Sequence, residues 1–431
     1  MTKNTNPWHL VKARAEHHFD SHQSYWYQTV GLVLEKLLDN AEYSFHSQVD
    51  ALNQFANLVA PYLGPSLGTG QPQWESFMTD NQTPIELSWD FHTGYDQPTI
   101  RYSIEPVMLD AGTTSNPYNS RAAARFRHDA IKTFPDMDTT LFDHFQAYFE
   151  RRWVLNRKRD HLSTVFWAFD LDESGTTNKA YIFPDAACDG GLSTLDIMFN
   201  AINTAPGCSL EALRAFGVFS DFVNHRPRLN LEIVLLALDL VPVSKSRLKI
   251  YFRDSRTNFN AVKEVMSLSG RLDSPEIERG LVNLKMLWDS LLDTQKMAGD
   301  SMLPHKDHKT AGILYNIEFR MSSTNPKVKI YIPVRHYAKN DLQVIRALKG
   351  FLTDQVSNKP DLAAEPVRVK RYSECMEDIL YVMPTDQVVS DPDHHSGKKA
   401  LSSGLGAHTY IGCSIQTGGD LRVVSYINPR P

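Results

Sequence analysis

The sequence predicts an α+β protein in which ten antiparallel strands form one sheet with helices outside it. Short runs that alternate polar and apolar residues occur in pairs, and five such pairs follow one another along the chain. Stretches with helical periodicity separate the pairs. The second strands of the first four pairs recur about every 70–80 residues, near Arg101, Lys179, Lys249 and Lys329. The chain is therefore predicted to consist of five repeats of two helices and two strands.

The five predicted strand pairs are PIELSWDF with PTIRYSIEP, TVFWAFDL with KAYIFP, LNLEIVLLALDL with RLKIYFR, GILYNIEFRM with KVKIYIPV, and HTYIGCSI with DLRVVSYINP. A doubly wound α/β fold would alternate single strands with single helices instead. Ten antiparallel strands avoid exposed edges by closing into a barrel, and a barrel of that size has room for a ligand inside. We therefore expect a closed barrel with a usable lumen.

The helices of the repeats are predicted from apolar residues at helical spacing. In WYQTVGLVLEKLLDN, from Trp26, five apolar side chains fall on one stripe: Val30, Val33, Leu34, Leu37 and Leu38. A similar stripe occurs in the stretch from Glu276, and further helical stretches begin at Thr140 and Asp341. These stripes are expected to pack on the outside of the barrel.

The bulk composition is that of an ordinary globular chain. Its 431 residues carry a net charge of −5, which gives no general attraction to nucleic acid or to an anionic membrane. No signal-type apolar run follows Met1, and the most apolar window, from Leu231, is too short for a bilayer and contains Asp239. We expect a cytoplasmic protein with a single domain over residues 1–431, interrupted only by a polar loop from Pro384.

No metal site is expected from the sequence. The four cysteines form no CxxC pair and are interpreted as small buried residues: Cys188, Cys208, Cys375 and Cys413. The chain lacks a DDxxD cluster of the kind that holds a diphosphate through Mg²⁺, and FDLDES at Phe169 has a different spacing. Two histidine-containing stretches, at His305 and Asp393, are interpreted as solvated loops.

Strand alternation sorts the side chains into two faces, because residues two apart on a strand point the same way. Arg101 and Ser103 share one face, and each of three further strands places a lysine and a tyrosine together: Lys179 with Tyr181, Lys249 with Tyr251, and Lys329 with Tyr331. Glu86, Tyr410 and Leu314 are also predicted to point inward. The lumen is therefore expected to be polar and the outer face apolar.

Five cations facing one lumen repel each other unless an anion joins them: Arg101, Lys179, Arg247, Lys249 and Lys329. A diphosphate suits such a set, because its oxygens accept from guanidinium, ammonium and phenol groups. If the diphosphate leaves an allylic ester, the faces of Tyr181, Tyr251, Tyr331 and Tyr410 can stabilise the carbocation and exclude water. The alternative is a solvent-facing strand, for which Lys-x-Tyr alternation is also common.

In this order, the segments IELSWDF, IRYSIEP, KAYIFP, RLKIYFR, KIYIP and HTYIG resemble the fungal aromatic prenyltransferases of the dimethylallyltryptophan synthase (DMATS) type, over nearly the whole chain. The resemblance implies the ABBA prenyltransferase (PT) barrel and a soluble enzyme of secondary metabolism. It also implies dimethylallyl diphosphate as the donor and no requirement for a cofactor or Mg²⁺.

The resemblance also assigns roles to residues. Arg101, Lys179, Arg247, Lys249 and Lys329 match the diphosphate clamp, and Tyr181, Tyr251, Tyr331 and Tyr410 match the tyrosine shield. Glu86 matches the glutamate that accepts an indole N–H, and a carboxylate there would also stabilise the arenium intermediate. Its alternative role is to pair with a clamp lysine. Ser103 and Leu314 are assigned to the acceptor or prenyl pocket, although Leu314 is equally consistent with packing.

Two departures from the family pattern concern the acceptor. Members that prenylate free tryptophan carry a lysine where this chain has Asp172, and an arginine on the strand where Val234, Leu236 and Leu238 stand. We therefore expect a neutral indole, such as a tryptophan-containing cyclic dipeptide or an alkaloid. His92 and His408 are candidates for hydrogen bonds to it. The alternatives are a phenolic acceptor, tyrosine or a polyketide, and a non-catalytic module that binds a phosphorylated ligand. The prenylated position stays open, as does the choice between monomer and homodimer.

Overall fold

The computed structural model describes residues 6–67, 73–153, 161–173, 175–184, 193–208, 213–225, 231–321, 323–357, 367–382 and 406–429. Three features of the sequence lie outside the described residues: the polar loop from Pro384, the histidines after Asp393, and Cys188. The other three cysteines, Cys208, Cys375 and Cys413, are buried free thiols, as expected.

Ten strands close into one barrel. They are β1 (Ile85–His92), β2 (Thr99–Ile104), β3 (Val165–Asp172), β4 (Gly175–Ile182), β5 (Glu232–Asp239), β6 (Arg247–Asp254), β7 (Ile313–Arg320), β8 (Lys327–Ile332), β9 (His408–Ile415) and β10 (Leu421–Ile427). Each strand pairs with its neighbours in sequence, and β1 pairs with β10 to complete the ring. All ten pairings are antiparallel. The predicted fold class, a barrel of five strand pairs, is confirmed.

The helices precede the first strand pair or lie between successive pairs in sequence. They are α1 (Pro7–Ala15), α2 (Ser21–Trp26), α3 (Leu32–Asn40), α4 (Phe45–Gln54), α5 (Ala122–Thr133), α6 (Thr140–Trp153), α7 (Thr194–Asn203), α8 (Arg214–Asn224), α9 (Phe259–Met266), α10 (Pro275–Leu292), α11 (Val334–Tyr337), α12 (Asp341–Ser357) and α13 (Val367–Val382). The helices predicted from Thr140, Glu276 and Asp341 correspond to α6, α10 and α12. None of the helices in the described ranges is long and apolar enough to cross a membrane.

The helix predicted from Trp26 is interrupted by a π-helical turn over Tyr27–Gly31. A second π-helical turn, Phe55–Val59, packs beside it. A Cβ atom at Gly31 would lie 3.3 Å from the Tyr27 ring and 3.4 Å from the Phe55 ring. Glycine therefore permits this close approach, which helical periodicity alone does not reveal.

The outer face of the barrel is apolar and forms the main core with the helices. Trp89, Tyr102, Trp167 and Tyr315 are among its largest fully buried side chains. The opposite faces of the same strands point into the lumen, with their residues in register: Glu86 opposite Ser103, Ser103 opposite Ala168, and Ala168 opposite Lys179. Strand alternation thus produces an apolar outer face that packs against the helices, and an inner face that carries both polar and apolar side chains.

Candidate active site

Two cavities occupy the lumen. One, the cationic cavity, has about 1060 Å³ of empty space, and the other, the aromatic cavity, has about 970 Å³, in each case including space open to solvent. Five residues line both: Ser103, Tyr181, Tyr251, Tyr331 and Tyr426. These side chains form the boundary between the two cavities, so a molecule extending from one to the other passes them.

The cationic cavity brings together all five predicted clamp residues: Arg101, Lys179, Arg247, Lys249 and Lys329. Three further cations also line it, namely Arg320, Lys327 and Arg422. Arg320 and Lys327 stand at an exposed position of the rim, whereas Lys179 is buried. None of the five predicted clamp residues is exposed, so the alternative of a solvent-facing strand is wrong for them.

Four carboxylates that the sequence analysis did not consider lie among these cations. Asp90 pairs with Arg101 and with Arg422, each at 2.7 Å. Asp170 pairs with Arg101 at 3.0 Å and also contacts the Lys179 ammonium group.

The other two carboxylates form ion pairs with cations of β6. Asp239 pairs with Arg247 at 2.5 Å, and Glu318 lies 3.4 Å from Arg247 and 3.9 Å from Lys249. Protein carboxylates thus offset part of the repulsion for which an outside anion was invoked. Strand alternation could have revealed them, since all four share the inward phase of their strands.

The balance of charge still favours an anion. Eight cationic side chains line the cavity and four carboxylates pair with them, so the formal excess with every group ionised is four positive charges. Burial alone would raise the pKa of Asp90 and Asp170, but the neighbouring cations outweigh it and hold both well below the usual range. The four carboxylates therefore do not neutralise the cavity.

Two of the lysines in the cavity have a lowered pKa. Burial lowers the pKa of Lys249 to about 7, and Arg247 and Lys179 act in the same direction. Burial likewise lowers the pKa of Lys329 to about 7. Near neutral pH the empty cavity therefore holds lysines that can take up protons when an anion arrives.

Four tyrosines from four strands form a layer between the cavities, here called the tyrosine layer: Tyr181, Tyr251, Tyr331 and Tyr426. The hydroxyls of Tyr251 and Tyr331 lie 3.0 Å apart, and Asn316 donates to the Tyr331 hydroxyl at 2.8 Å. The Tyr181 and Tyr251 ring centres are 5.9 Å apart.

Tyr426 was missed by the sequence analysis, although it shares the inward phase of β10 with Arg422. Its hydroxyl accepts a hydrogen bond of 2.9 Å from Lys329. Tyr410, predicted as a member of the shield, lines only the aromatic cavity, where its ring centre is 6.4 Å from that of Tyr331.

The aromatic cavity contains Glu86, Ser103, Leu314 and Tyr410, as the strand phases predict. The hydroxyl of Thr409 donates to Glu86 Oε1 at 2.6 Å. Burial raises the pKa of Glu86 to about 8, against the opposing effect of this hydrogen bond. Apolar side chains form much of the remaining wall: Phe77, Met78, Phe166, Phe183, Val234 and Leu235. An aromatic ring bound beside Glu86 would have that carboxyl group and several apolar side chains around it.

A charged cluster, here called the mouth cluster, completes the aromatic cavity: Asp80, Arg253, Thr310, Arg335 and His336. Arg335 pairs with Asp80 at 3.0 Å, and the Thr310 hydroxyl donates to Asp80 at 3.2 Å. Arg253 donates to the carbonyl oxygens of Thr310 and Ala311 at 2.7 and 3.3 Å. Except for Arg253, these residues lie outside the strands, where alternation gives no information.

Two residues of the mouth cluster, Asp80 and His336, form with His308 a group that could hold a metal. Ligand atoms of Asp80, His308 and His336 lie within 4.8 Å of one another. The Thr310 hydroxyl stands between the two imidazoles, 2.9 Å from His308 Nδ1 and 2.7 Å from His336 Nε2, and Arg335 competes for Asp80. This hydrogen bonding accounts for the group without a metal. The stretch from His305 is exposed, as expected, and its His308 imidazole contacts Thr310.

The expectations about the acceptor need correction in two places. A bulge between Ile233 and Leu235 changes the phase of β5, so Leu236 and Leu238 pack outward and Leu235 and Ala237 face the lumen. No arginine stands on the inward positions of β5, as expected, but Arg253 and Arg335 reach the cavity from other elements. Because two arginines line the cavity, the lack of an arginine on β5 does not indicate a neutral acceptor.

The two histidines proposed as acceptor contacts do not line either cavity in the described part of the chain. His408 is buried outside the barrel, where it binds Asp341 at 2.7 Å and Tyr372 at 2.8 Å. His92 bonds Thr99 at 2.9 Å. Asp172 is exposed at the end of β3. The roles considered for these histidines are therefore wrong. The pairing of β9 with β10 is irregular between His408 and Ile411, and that of β1 with β10 is irregular between Asp90 and His92, so neither histidine follows the inward phase of its strand.

Comparison with known proteins agrees with this architecture. The family model described as tryptophan dimethylallyltransferase matches residues 22–365. The chain is 31% identical to the 4-O-dimethylallyl-L-tyrosine synthase of Claviceps purpurea, over 95% of this chain and 88% of that protein. It is 29% identical to a 7-dimethylallyltryptophan synthase of Aspergillus fumigatus, over 95% of this chain and 86% of that protein.

The fold is also found among solved structures. The crystal structure of AnaPT from Neosartorya fischeri superposes with a TM-score of 0.79 and 22% identity, over 99% of this chain and 98% of that one. The barrel, its lumen and the family match together define an aromatic prenyltransferase. The chain belongs to the tryptophan dimethylallyltransferase family.

Proposed function

We propose that this enzyme transfers a dimethylallyl group from dimethylallyl diphosphate to an indole acceptor, without a metal ion. The observation that supports the proposal is the arrangement of the two cavities, which share the tyrosine layer. The diphosphate would occupy the cationic cavity, the prenyl chain would cross the layer, and the indole would lie beside Glu86. The names of the two relatives, both dimethylallyl transferases, support the donor.

The first step is ionisation of the donor. The bond between the allylic carbon and the diphosphate oxygen breaks, and its electron pair leaves with the diphosphate. Arg101 and Arg247 present guanidinium groups and Lys249 and Lys329 present ammonium groups to the oxygens that gain this charge. Cations that are already in place stabilise the leaving group without reorganisation at the moment of reaction, which is the role that Mg²⁺ fills elsewhere.

The second step requires a protected carbocation. The ring faces of Tyr251 and Tyr331 at the boundary can stabilise positive charge through their electron density. The layer also keeps bulk water from the cation, since water would convert it to an alcohol. The aromatic carbon of the acceptor then attacks, and a new carbon–carbon bond replaces the broken carbon–oxygen bond.

Glu86 acts on the acceptor. Its carboxylate would accept the indole N–H, which makes the ring more nucleophilic and stabilises the positive arenium intermediate. A base then removes the ring proton and restores aromaticity. Because burial raises the pKa of Glu86 to about 8, an N–H donor or a nearby positive charge is needed to favour its ionised form near neutrality.

A phenolic acceptor is the second candidate, favoured by the likeness to a tyrosine synthase at 31% identity. Both candidates are tested by one experiment with EDTA-treated enzyme, dimethylallyl diphosphate and separate indole, tyrosine and polyketide phenol acceptors. Mass spectrometry would reveal the gain of one prenyl unit. We expect prenylation of an indole and its loss in Glu86→Ala. Tight diphosphate binding with no prenylated product would favour a binding module instead.

A further inference from the structure

One wall of the aromatic cavity is formed by four consecutive residues that belong to no helix or strand: Phe77, Met78, Thr79 and Asp80. They are here called the wall segment. The strand ladder fixes the backbone of the cavity residues that stand on the barrel, but the wall segment lies outside that ladder. Its position therefore depends on other bonds.

The backbone of the wall segment is tied to a buried carboxyl group. The amide of Phe77 donates to Ser163 Oγ at 3.1 Å, and the amide of Met78 donates to Ser76 Oγ at 3.2 Å. Both serine hydroxyls donate in turn to one oxygen, Oε2 of Glu105, at 2.9 Å from Ser163 and 2.5 Å from Ser76. Two hydrogen-bonded chains thus connect Glu105 with two adjacent amides of the cavity wall.

The direction of these bonds requires an acceptor at Glu105 Oε2. A serine hydroxyl has one proton, so a hydroxyl that accepts from an amide has that proton left to donate. An oxygen of a carboxylate or an amide can accept two such protons, whereas a hydrocarbon side chain accepts none. Burial raises the pKa of Glu105 to about 7, and the two serine hydroxyls oppose this effect. The wall segment therefore uses the ability of Glu105 to accept two hydrogen bonds at one atom.

The three residues behind the wall segment are buried. Ser76 and Glu105 are each 2% exposed, and Ser163 has no exposed surface. None of these three described residues lines the aromatic or the cationic cavity. A buried carboxyl group is costly unless it is hydrogen-bonded. The bonds to the two serines, rather than contact with a ligand, therefore account for Glu105.

The side chain of Phe77 is held as firmly as its amide. Its ring stacks on that of His161 with 4.0 Å between the ring centres, and Lys309 Nζ lies 4.9 Å from its centre. Phe183, another residue of the aromatic cavity, meets it edge to face with 5.9 Å between the centres. With its amide fixed through Ser163, the ring has one defined place in the cavity wall.

Resting on the proposed prenyl transfer, we propose that Glu105 is a positioning residue for acceptor recognition. Through Ser76 and Ser163 it sets the place of the wall segment, against which the acceptor ring packs. Glu86 contacts the acceptor, and Glu105 shapes the surface that faces it. Binding of diphosphate depends on the cationic cavity and does not involve this network.

Variants of Glu105 separate these two kinds of binding. The acceptor is whichever of the indole, tyrosine and phenol compounds the wild-type enzyme prenylates. Glu105→Leu removes the shared hydrogen-bond acceptor and should raise KM for that compound about tenfold, while Kd for inorganic diphosphate stays within about twofold. Glu105→Gln retains a carbonyl oxygen that can accept from both serines, so its KM should lie much closer to that of the wild type.

Smaller changes test the same network if the leucine variant does not fold. Ser163→Ala releases the amide of Phe77 and should also raise KM for the acceptor. Ser425→Ala is the matched control, because Ser425 is equally buried and its hydroxyl lies 2.7 Å from that of Tyr372, between β10 and α13. This control should lower the thermal unfolding temperature and leave KM unchanged. A purely structural role would reduce the amount of folded enzyme, and thus the apparent kcat, without a change in KM.

The outcomes distinguish the two proposals. An unchanged acceptor KM in Ser163→Ala, or a KM in Glu105→Gln as high as that in Glu105→Leu, would overturn the positioning role and leave the proposed transfer intact. Equal rises in Ser163→Ala and Ser425→Ala would do the same. If the wild-type enzyme bound diphosphate and prenylated none of the aromatic compounds, the proposed function would fail, and this role would fail with it.

Discussion

The Lys329 ammonium group donates a hydrogen bond of 2.9 Å to the Tyr426 hydroxyl. Its Nζ also lies 4.7 Å from the centre of the Tyr331 ring. No carboxylate lies within 4.0 Å of this ammonium group in the ranges that the structure describes, unlike that of Lys179. Lys329 therefore joins the cationic cavity to the tyrosine layer, and its charge depends strongly on what occupies the cavity.

Diphosphate binding should take up protons. Burial lowers the pKa of Lys249 and Lys329 to about 7 in the empty cavity, and a bound polyanion raises both. Between the free and bound pKa values, affinity for inorganic diphosphate should fall as pH rises, by up to about tenfold per lysine per pH unit. Calorimetry at pH 8 in buffers of different ionisation enthalpy measures the protons taken up. Lys329→Met should reduce the number, whereas the exposed Lys349→Met should not. Proton release at pH 8 would contradict this account.

Asp170 should stabilise the empty enzyme. Asp170 pairs with both Arg101 and Lys179. The Asp170→Asn substitution therefore removes a neighbouring negative charge from two enclosed cations. Breaking a buried pair costs about 3–5 kcal/mol, and water in the lumen reduces that figure, so we expect a loss of about 2 kcal/mol in unfolding free energy.

Denaturant unfolding with and without inorganic diphosphate measures this effect. Diphosphate should recover part of the loss, because it replaces the missing negative charge. Asp221→Asn, at a half-exposed pair with Arg271, provides the control and should cost less than about 1 kcal/mol. If Asp170→Asn left the unfolding free energy unchanged, the pairing would not stabilise the fold.

The tyrosine layer should determine how the carbocation is partitioned. Tyr331→Leu removes a ring between the cavities, so water should capture more of the cation and the ratio of dimethylallyl alcohol to prenylated product should rise several-fold. Tyr331→Phe keeps the ring face and should stay close to wild type in this ratio. Chromatography of both products from one reaction gives the ratio directly. An equal ratio in the leucine variant would mean that the ring does not protect the cation.

Glu86 should produce a pH dependence in the acceptor step. Its pKa is raised to about 8, so with saturating donor the carboxylate form and kcat/KM for the acceptor should increase as pH rises towards 8 and level off above it. Thr409→Val removes a 2.6 Å hydrogen bond to the carboxylate and should move the rise to higher pH. Glu86→Gln should have low activity and no such rise. A wild-type profile that Glu86→Gln reproduces would rule out this role.

Much of the site follows from strand alternation alone. The inward phase of β2, β4, β6 and β8 places Arg101, Lys179, Lys249 and Lys329 in one cavity, and that of β1 places Glu86 in the other. Alternation is informative on these strands because each has an apolar face, and the helices must cover that face.

The remaining parts depend on contacts that a local pattern does not contain. A bulge reversed the expected phase of β5, and a bulge needs only one extra residue that the sequence does not mark. Asp80 and Arg335 are 255 positions apart and meet at the mouth only because the barrel closes. Their pairing depends on the tertiary structure, and so does the charge of the acceptor cavity.

The most direct test of the account is a crystal structure of the enzyme with dimethylallyl thiolodiphosphate and its acceptor. We predict diphosphate oxygens within hydrogen-bond distance of Arg101, Lys249 and Lys329, the prenyl chain between Tyr251 and Tyr331, and the acceptor ring beside Glu86. A diphosphate bound instead at the mouth cluster, with the acceptor among the lysines, would contradict the assignment of the two cavities.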